Sequence, residues 1–185
     1  MTFIAKAPRN PRPLGCVNCG KDLVPAAYNL HATVPVGVVV PPLASIRVPG
    51  MRVMDRLAQN YLNYSLYDCI YYPLCLCEFP KLRVPVARNC ESFVAHFLDK
   101  KVKYTLVMGR ENQQSMLGNA PKGGVASGQM VTVKGKIYIL LPNPLDYEDL
   151  PPQDEERHLM EHKVHVWMGI FETVKRLLNR EGLLE

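Results

Sequence analysis

Apolar residues follow a helical period most clearly towards the end of the chain. They recur at alternating steps of four and three at Met160, Val164, Trp167, Phe171, Val174 and Leu178. Pro151-Pro152 and an acidic run precede this stripe, whereas basic residues and then Gly182 follow it, an order that suits both ends of a helix dipole. The pattern predicts an amphipathic helix over residues 153–180, docked through its apolar stripe on a sheet or a partner helix.

The middle of the chain mixes helical and strand periods. Apolar residues at helical spacing predict a helix from Met51 to about Tyr67, and Asn89 is a good N-cap for a second helix that starts at Cys90. Short apolar runs predict strands at 34–40, 69–86, 102–108 and 131–141, the last as a hairpin that turns at Lys134-Gly135-Lys136.

Two further positions affect how these strands are arranged. Pro35 makes a central place in a sheet improbable for residues 34–40, so an edge strand is expected there. The glycine-rich residues 109–130 are expected to form a loop. The sum of these elements predicts an α+β fold, in which a small mixed sheet carries two or three helices and the long C-terminal helix.

The first fifty residues differ from the rest in composition. They contain half of the sixteen prolines, and the chain before Asp55 has several basic residues but a single acidic one, Asp22. This predicts an extended basic arm over residues 1–50 and a single α+β domain over 51–185. Such an arm is expected to contact other protein subunits, as is the helix 153–180, or to contact RNA. The scarcity of acids also suits an organellar targeting segment, so the protein is expected inside the cell, with mitochondria as one candidate location.

The overall composition narrows the possible classes. A chain of 185 residues with 48% apolar content can build one core, and a net charge of +5 is well short of the dense basic fields of nucleic-acid binders. Prolines interrupt the longest apolar stretch, Val34 to Ile46, so neither a membrane-spanning segment nor a secretory signal peptide is expected. The six cysteines are therefore expected to be thiols or metal ligands rather than disulfides.

Two groups of residues have the spacing of metal ligands. Cys16 and Cys19 are spaced as in a zinc knuckle, and a second pair, taken from Cys75, Cys77, Cys69 and Cys90, could complete a structural zinc site. His158, His162 and His165 lie on one side of the predicted C-terminal helix and could hold a metal ion. The alternatives are free thiols in a turn and a solvated or partner-facing polar edge of the helix.

Cys90 is the candidate nucleophile. At a helix N-terminus, the dipole and the free amides lower the pKa of a thiol and favour the reactive thiolate. The string Asn89-Cys90-Glu91-Ser92-Phe93-Val94 resembles the cysteine box of lecithin retinol acyltransferase-like thiol enzymes. The resemblance implies a thiol hydrolase or acyltransferase with Cys90 as nucleophile and the upstream His31 as base. A buried Cys90 in a capped helix is the alternative.

Three functions follow from these patterns. The first is a non-catalytic accessory subunit of a large intracellular assembly, such as a mitochondrial respiratory or ATP-synthase complex or the mitochondrial ribosome. The second is the thiol enzyme based on Cys90. The third is a zinc-stabilised binding module.

Overall fold

A computed structural model describes residues 29, 32–41, 48–74, 102–117, 128–147 and 155–184, with side chains described except at residues 147 and 155–160. Within these ranges the chain forms five strands and three α-helices. In chain order they are β1 (Val36–Val40), α1 (Pro49–Leu62), β2 (Ile70–Pro73), β3 (Tyr104–Met108), α2 (Arg110–Leu117), β4 (Met130–Val133), β5 (Lys136–Leu141) and α3 (Glu155–Arg180). Short 3-10 helices follow α1 at Leu66–Asp68 and β5 at Pro144–Tyr147.

The strands form one mixed sheet in the order β2-β1-β3-β5-β4. The first four strands in that order are parallel, and β4 runs antiparallel to β5. The predicted α+β fold with a small mixed sheet and a long C-terminal helix is therefore confirmed. No helix among the described residues has the length and apolar content that crossing a membrane requires.

Helices cover the two faces of the sheet differently. The larger core packs α1 and α3 against one face, with Met54, Leu57, Phe171 and Leu178 among its buried side chains. The opposite face presents Val39, Val107 and other buried residues, against which Met116 and Leu117 of α2 pack. Alternate residues of β1 and β3 thus enter different cores, as the period of a strand requires.

The position of β1 corrects the prediction for residues 34–40. This strand lies inside the sheet, between β2 and β3, and all five of its residues are buried. Pro35 precedes the first ladder residue, so its missing N–H removes no hydrogen bond from the sheet, while its carbonyl accepts one from the Lys103 amide at 2.8 Å. Asn29 also bridges Tyr71 of β2, so Asn29 and residues 36–40 of the predicted arm belong to the sheet, whereas Pro49 and Gly50 begin α1.

Local capping decides the length of α1. The helix begins at Pro49, a favourable first-turn residue, and ends at Leu62, because Asn63 adopts a left-handed conformation with φ 64°. It is therefore shorter than the predicted helix to Tyr67. The buried carboxylate of Asp55 then ties α1 to the following 3-10 helix, since it accepts hydrogen bonds from the Leu66 amide and the Ser65 hydroxyl, each at 2.8 Å.

The C-terminal helix and the hairpin agree with the sequence. Helix α3 is described from Glu155 and ends at the predicted residue, and Trp167, Phe171, Val174 and Leu178 of the stripe are buried. The hairpin turns at Lys134 and Gly135, both with positive φ, and joins β4 to β5. The loop predicted for 109–130 is wrong at its beginning, because residues 110–117 form α2.

Candidate functional site

Three parallel strands end at the same edge of the sheet. The carboxyl ends of β1, β3 and β5 meet there, and the helices that come next after β1 and β3 along the chain pack on opposite faces, α1 on one and α2 on the other. Neighbouring strands whose connections diverge in this way leave a crevice at their carboxyl ends, which is where open sheets of this kind bind ligands. The edge between β1 and β3 is therefore the candidate site.

Gly109 lies where these strand ends converge. It links β3 to α2 with φ +82°, a backbone conformation that residues other than glycine rarely adopt. An ideal Cβ at this position would lie 3.4 Å from Pro41 after β1 and 3.5 Å from Asn143 after β5. The backbone of Gly109 consequently brings the ends of all three strands into contact.

Two buried amide side chains fix the first turn of α2 against the sheet. The Gln113 side chain donates from Nε2 to the carbonyls of Val107 at 3.2 Å and Leu141 at 3.0 Å. Asn112 Nδ2 donates to the Met108 carbonyl at 2.8 Å. Both residues are only 1% exposed. These bonds position the N-terminus of α2 against β3 and β5.

The same turn carries backbone donors without acceptors. The amides of Arg110, Glu111 and Asn112 have no acceptor among the described residues, as is usual for the first turn of a helix. Asn112 Oδ1 is buried and also has no hydrogen-bond partner. Free amides and the positive end of the helix dipole together attract a negatively charged oxygen.

A cavity of about 280 Å³ opens beside this turn. The residues that line it are Pro41, Met108, Gly109, Arg110, Glu111, Asn112, Asn143 and Asp146. The Asn143 side chain is held in place because its Oδ1 accepts the Leu145 amide at 3.0 Å. Lys163 of α3 donates from Nζ to the backbone carbonyl of Asp146, so a second cation lies near this rim.

The described lining offers carboxylates but no hydroxyl, thiol or imidazole group. None of the eight described lining residues is a serine, cysteine, threonine or histidine, whereas Glu111 and Asp146 carry carboxylates, which can act as general bases. At the rim, Arg110 and Lys163 balance Glu111 and Asp146 in formal charge. Preference for an anion must therefore come from the backbone amides of the first turn of α2.

Most of the residues singled out by sequence lie outside the described residues. These are His31, Cys16, Cys19, Cys75, Cys77 and Cys90. The zinc site and the thiol enzyme therefore stay predictions.

The predicted histidine cluster lies on α3. His162 and His165 are exposed, and His165 donates from Nδ1 to the Glu161 carbonyl at 2.9 Å, one turn earlier. His158 is in the helix, but its side chain lies outside the described part. Among the described side chains, no three histidine, cysteine or acidic residues are grouped as metal ligands.

Cys69 is the cysteine whose environment the structure describes. Its thiol is buried in the larger core and donates to the Ser65 carbonyl at 3.4 Å. Burial, with a smaller contribution from the neighbouring Asp68, raises the pKa of this thiol. Cys69 is therefore a core residue, with a protonated and unreactive sulfur at neutral pH.

Sequence reasoning missed the crevice because it missed α2. Apolar residues occur only at the end of this helix, at Met116 and Leu117, so the helical period is absent from most of it. A usable signal was present in the order strand, Gly109, Arg110-Glu111, which combines a strand end, a flexible link and an acidic first turn.

No protein-family model matches the chain, and no curated protein is significantly similar to it.

Proposed function

We propose that this protein binds a small ligand through an oxyanion group, such as a phosphate or a carboxylate, in the crevice at the carboxyl ends of β1, β3 and β5. One observation carries the proposal. The amides of the first turn of α2 are free at a cavity that forms where α1 and α2 diverge to opposite faces of the sheet. This is the place and the chemistry with which open parallel sheets hold anionic groups.

The size of the cavity limits what it can hold. A volume of about 280 Å³ lies just below the range of about 300–1,000 Å³ that is usual for small-molecule pockets. The cavity therefore suits a head group and not a whole large cofactor. The absence of net charge at the rim is consistent with a ligand whose remaining part is neutral or polar.

Titration with inorganic phosphate and with a panel of nucleotides and carboxylates, followed by NMR shifts of backbone amides, tests this proposal. The amide signals of Gly109, Arg110 and Glu111 are expected to shift in a saturable manner. The Asn143→Asp variant keeps the oxygen that accepts the Leu145 amide but adds a negative charge to the lining. Repulsion of about 1 kcal/mol between this carboxylate and the bound anion is expected to weaken binding of the ligand roughly fivefold.

Gln114→Glu is the matched control. It adds the same charge to an exposed position of α2 that does not line the cavity, and it is expected to leave the affinity almost unchanged. Equal losses in Asn143→Asp and Gln114→Glu, or shifts confined to other parts of the chain, would contradict the proposal.

The accessory-subunit hypothesis is the second candidate. Val166 and Met168 on α3 are 48% and 38% exposed and lie on different sides of the helix, so each is a separate apolar position available to a partner. We expect the protein to co-purify with other subunits from native extract through α3 and residues 1–50. A lone species of 20.9 kDa in that extract contradicts the hypothesis.

A further inference from the structure

Among the described residues, strand β4 forms an edge of the sheet. It pairs with β5, and no second strand of the described chain pairs with it. Its four residues, Met130 to Val133, include neither a charged residue nor a proline. Those are the residues that usually prevent an edge strand from pairing with another chain.

The bonding pattern shows which backbone groups of β4 are free. The Gly128 amide donates to the Leu140 carbonyl at 2.7 Å, and the Leu140 amide donates to the Gln129 carbonyl at 2.9 Å, so two residues oppose one in a bulge. Gly128 makes this possible with φ +78°. Because backbone groups alternate in direction, those of Val131 face β5 and those of Met130 and Thr132 face the open edge.

A groove follows the same edge. It encloses about 460 Å³ between β4 and the C-terminal end of α3, and it is lined by Gly128, Gln129, Met130, Thr132, Leu177, Arg180 and Glu181. The turn before β4 packs closely on the helix, since a Cβ at Gly128 would lie 3.6 Å from the Ile170 side chain. A groove between an edge strand and a helix is the setting in which extended peptides add to a sheet.

The charged lining residues of this groove, Arg180 and Glu181, balance in formal charge, and two further basic residues lie on the helix and the hairpin that form it. Arg180 lines it, Arg176 lies one turn earlier and contacts Thr173, and Lys134 lies at the hairpin turn. Glu181 pairs with Arg180 at 3.2 Å, but the two side chains are 44% and 69% exposed, so the pair is weak. A carboxylate of a ligand can replace Glu181 at Arg180 at little cost.

We propose that this groove binds an extended acidic peptide segment of a partner protein, which adds to β4 as a further strand. The proposal goes beyond the ligand crevice, which lies at the carboxyl edge of the other strands. A second copy of this chain fits the groove less well, because pairing through β4 would bring two sets of the same basic side chains together.

A synthetic peptide of alternating valine and glutamate, with blocked ends, tests the proposal with the full chain. Binding tighter than about 1 mM is expected by calorimetry or NMR, with no binding of the peptide in which lysine replaces glutamate. Thr132→Pro removes an outward amide without removing a bond to β5, and it is expected to weaken binding about tenfold. Thr132→Val keeps that amide and is expected to bind as the natural protein does.

A second variant keeps the test independent of how proline affects folding. Arg180→Glu changes a side chain that is 69% exposed and is expected to weaken binding of the acidic peptide severalfold. The proposal is overturned if both peptides bind equally or neither binds. It is also overturned if Thr132→Pro abolishes self-association of the chain, or if an oligonucleotide binds the groove in place of the acidic peptide.

Discussion

Replacing Asp55 with alanine is expected to destabilise the protein strongly, although the residue lies far from the candidate site. The residue is only 9% exposed, and its carboxylate accepts three hydrogen bonds from the Gln59 side chain, the Ser65 hydroxyl and the Leu66 amide at 2.7, 2.8 and 2.8 Å. The alanine variant leaves all three donors without this acceptor. It therefore removes the hydrogen bonds that hold α1 against the 3-10 helix that leads into β2.

The magnitude follows from where each donor lies. The Leu66 amide is buried, and leaving such a donor unpaired costs about 1–3 kcal/mol. Ser65 and Gln59 are partly accessible to water, so each lost bond adds about 0.5 kcal/mol. The total is about 3 kcal/mol, which for a chain of this length lowers Tm by about 6–12 °C.

Urea unfolding followed by tryptophan fluorescence measures this change, because Trp167 is the single tryptophan and is buried on α3. Asp55→Asn is the control, since its remaining carbonyl oxygen can still accept the Leu66 amide, and it is expected to lose only about 1 kcal/mol. A loss below about 0.5 kcal/mol for the alanine variant would refute the view that Asp55 holds this junction together.

Two further predictions concern single positions. Gly109→Ala is expected to lose about 1–2 kcal/mol of unfolding free energy, measured in urea, because φ is +82° at this position. Gly169→Ala, at an exposed position of α3, is the control and is expected to be neutral or stabilising, so equal effects of the two substitutions would contradict the prediction. Burial raises the pKa of Cys69 above its unfolded value, so the free energy of unfolding is expected to fall as pH rises above about 8.5. The fall is expected to be shallower in Cys69→Ala by urea titration at several pH values, and identical slopes would contradict the assignment.

Elements with a strong period or a specific turn were predictable from the sequence. Three such elements are the apolar stripe of α3, the hairpin at Lys134-Gly135 and the strand that ends at Met108. Each depends on a local sequence pattern, and the tertiary structure agrees with that pattern. Helix α2 was not predictable in the same way, because its first turn is held by bonds from Asn112 and Gln113 to strand carbonyls rather than by an apolar stripe.

The order of the strands in the sheet was the second feature that the sequence could not predict. Pro35 lies immediately before β1, and its effect on the position of the strand in the sheet depends on whether its nitrogen belongs to the ladder, which only the tertiary structure decides. The candidate crevice depends on the same information, since Pro41, Gly109 and Asn143 are distant in sequence and meet only after β1, β3 and β5 are parallel neighbours.

The central position of β1 has a consequence during synthesis of the chain. Its residues, Val-Gly-Val-Val-Val, are completely buried in the finished sheet, yet Val36 pairs with Tyr104, which is made much later. Until β3 emerges, an apolar strand without charge has one open side and can pair with other nascent chains. Pro35 and Pro41 flank this run, where prolines act as gatekeepers against aggregation.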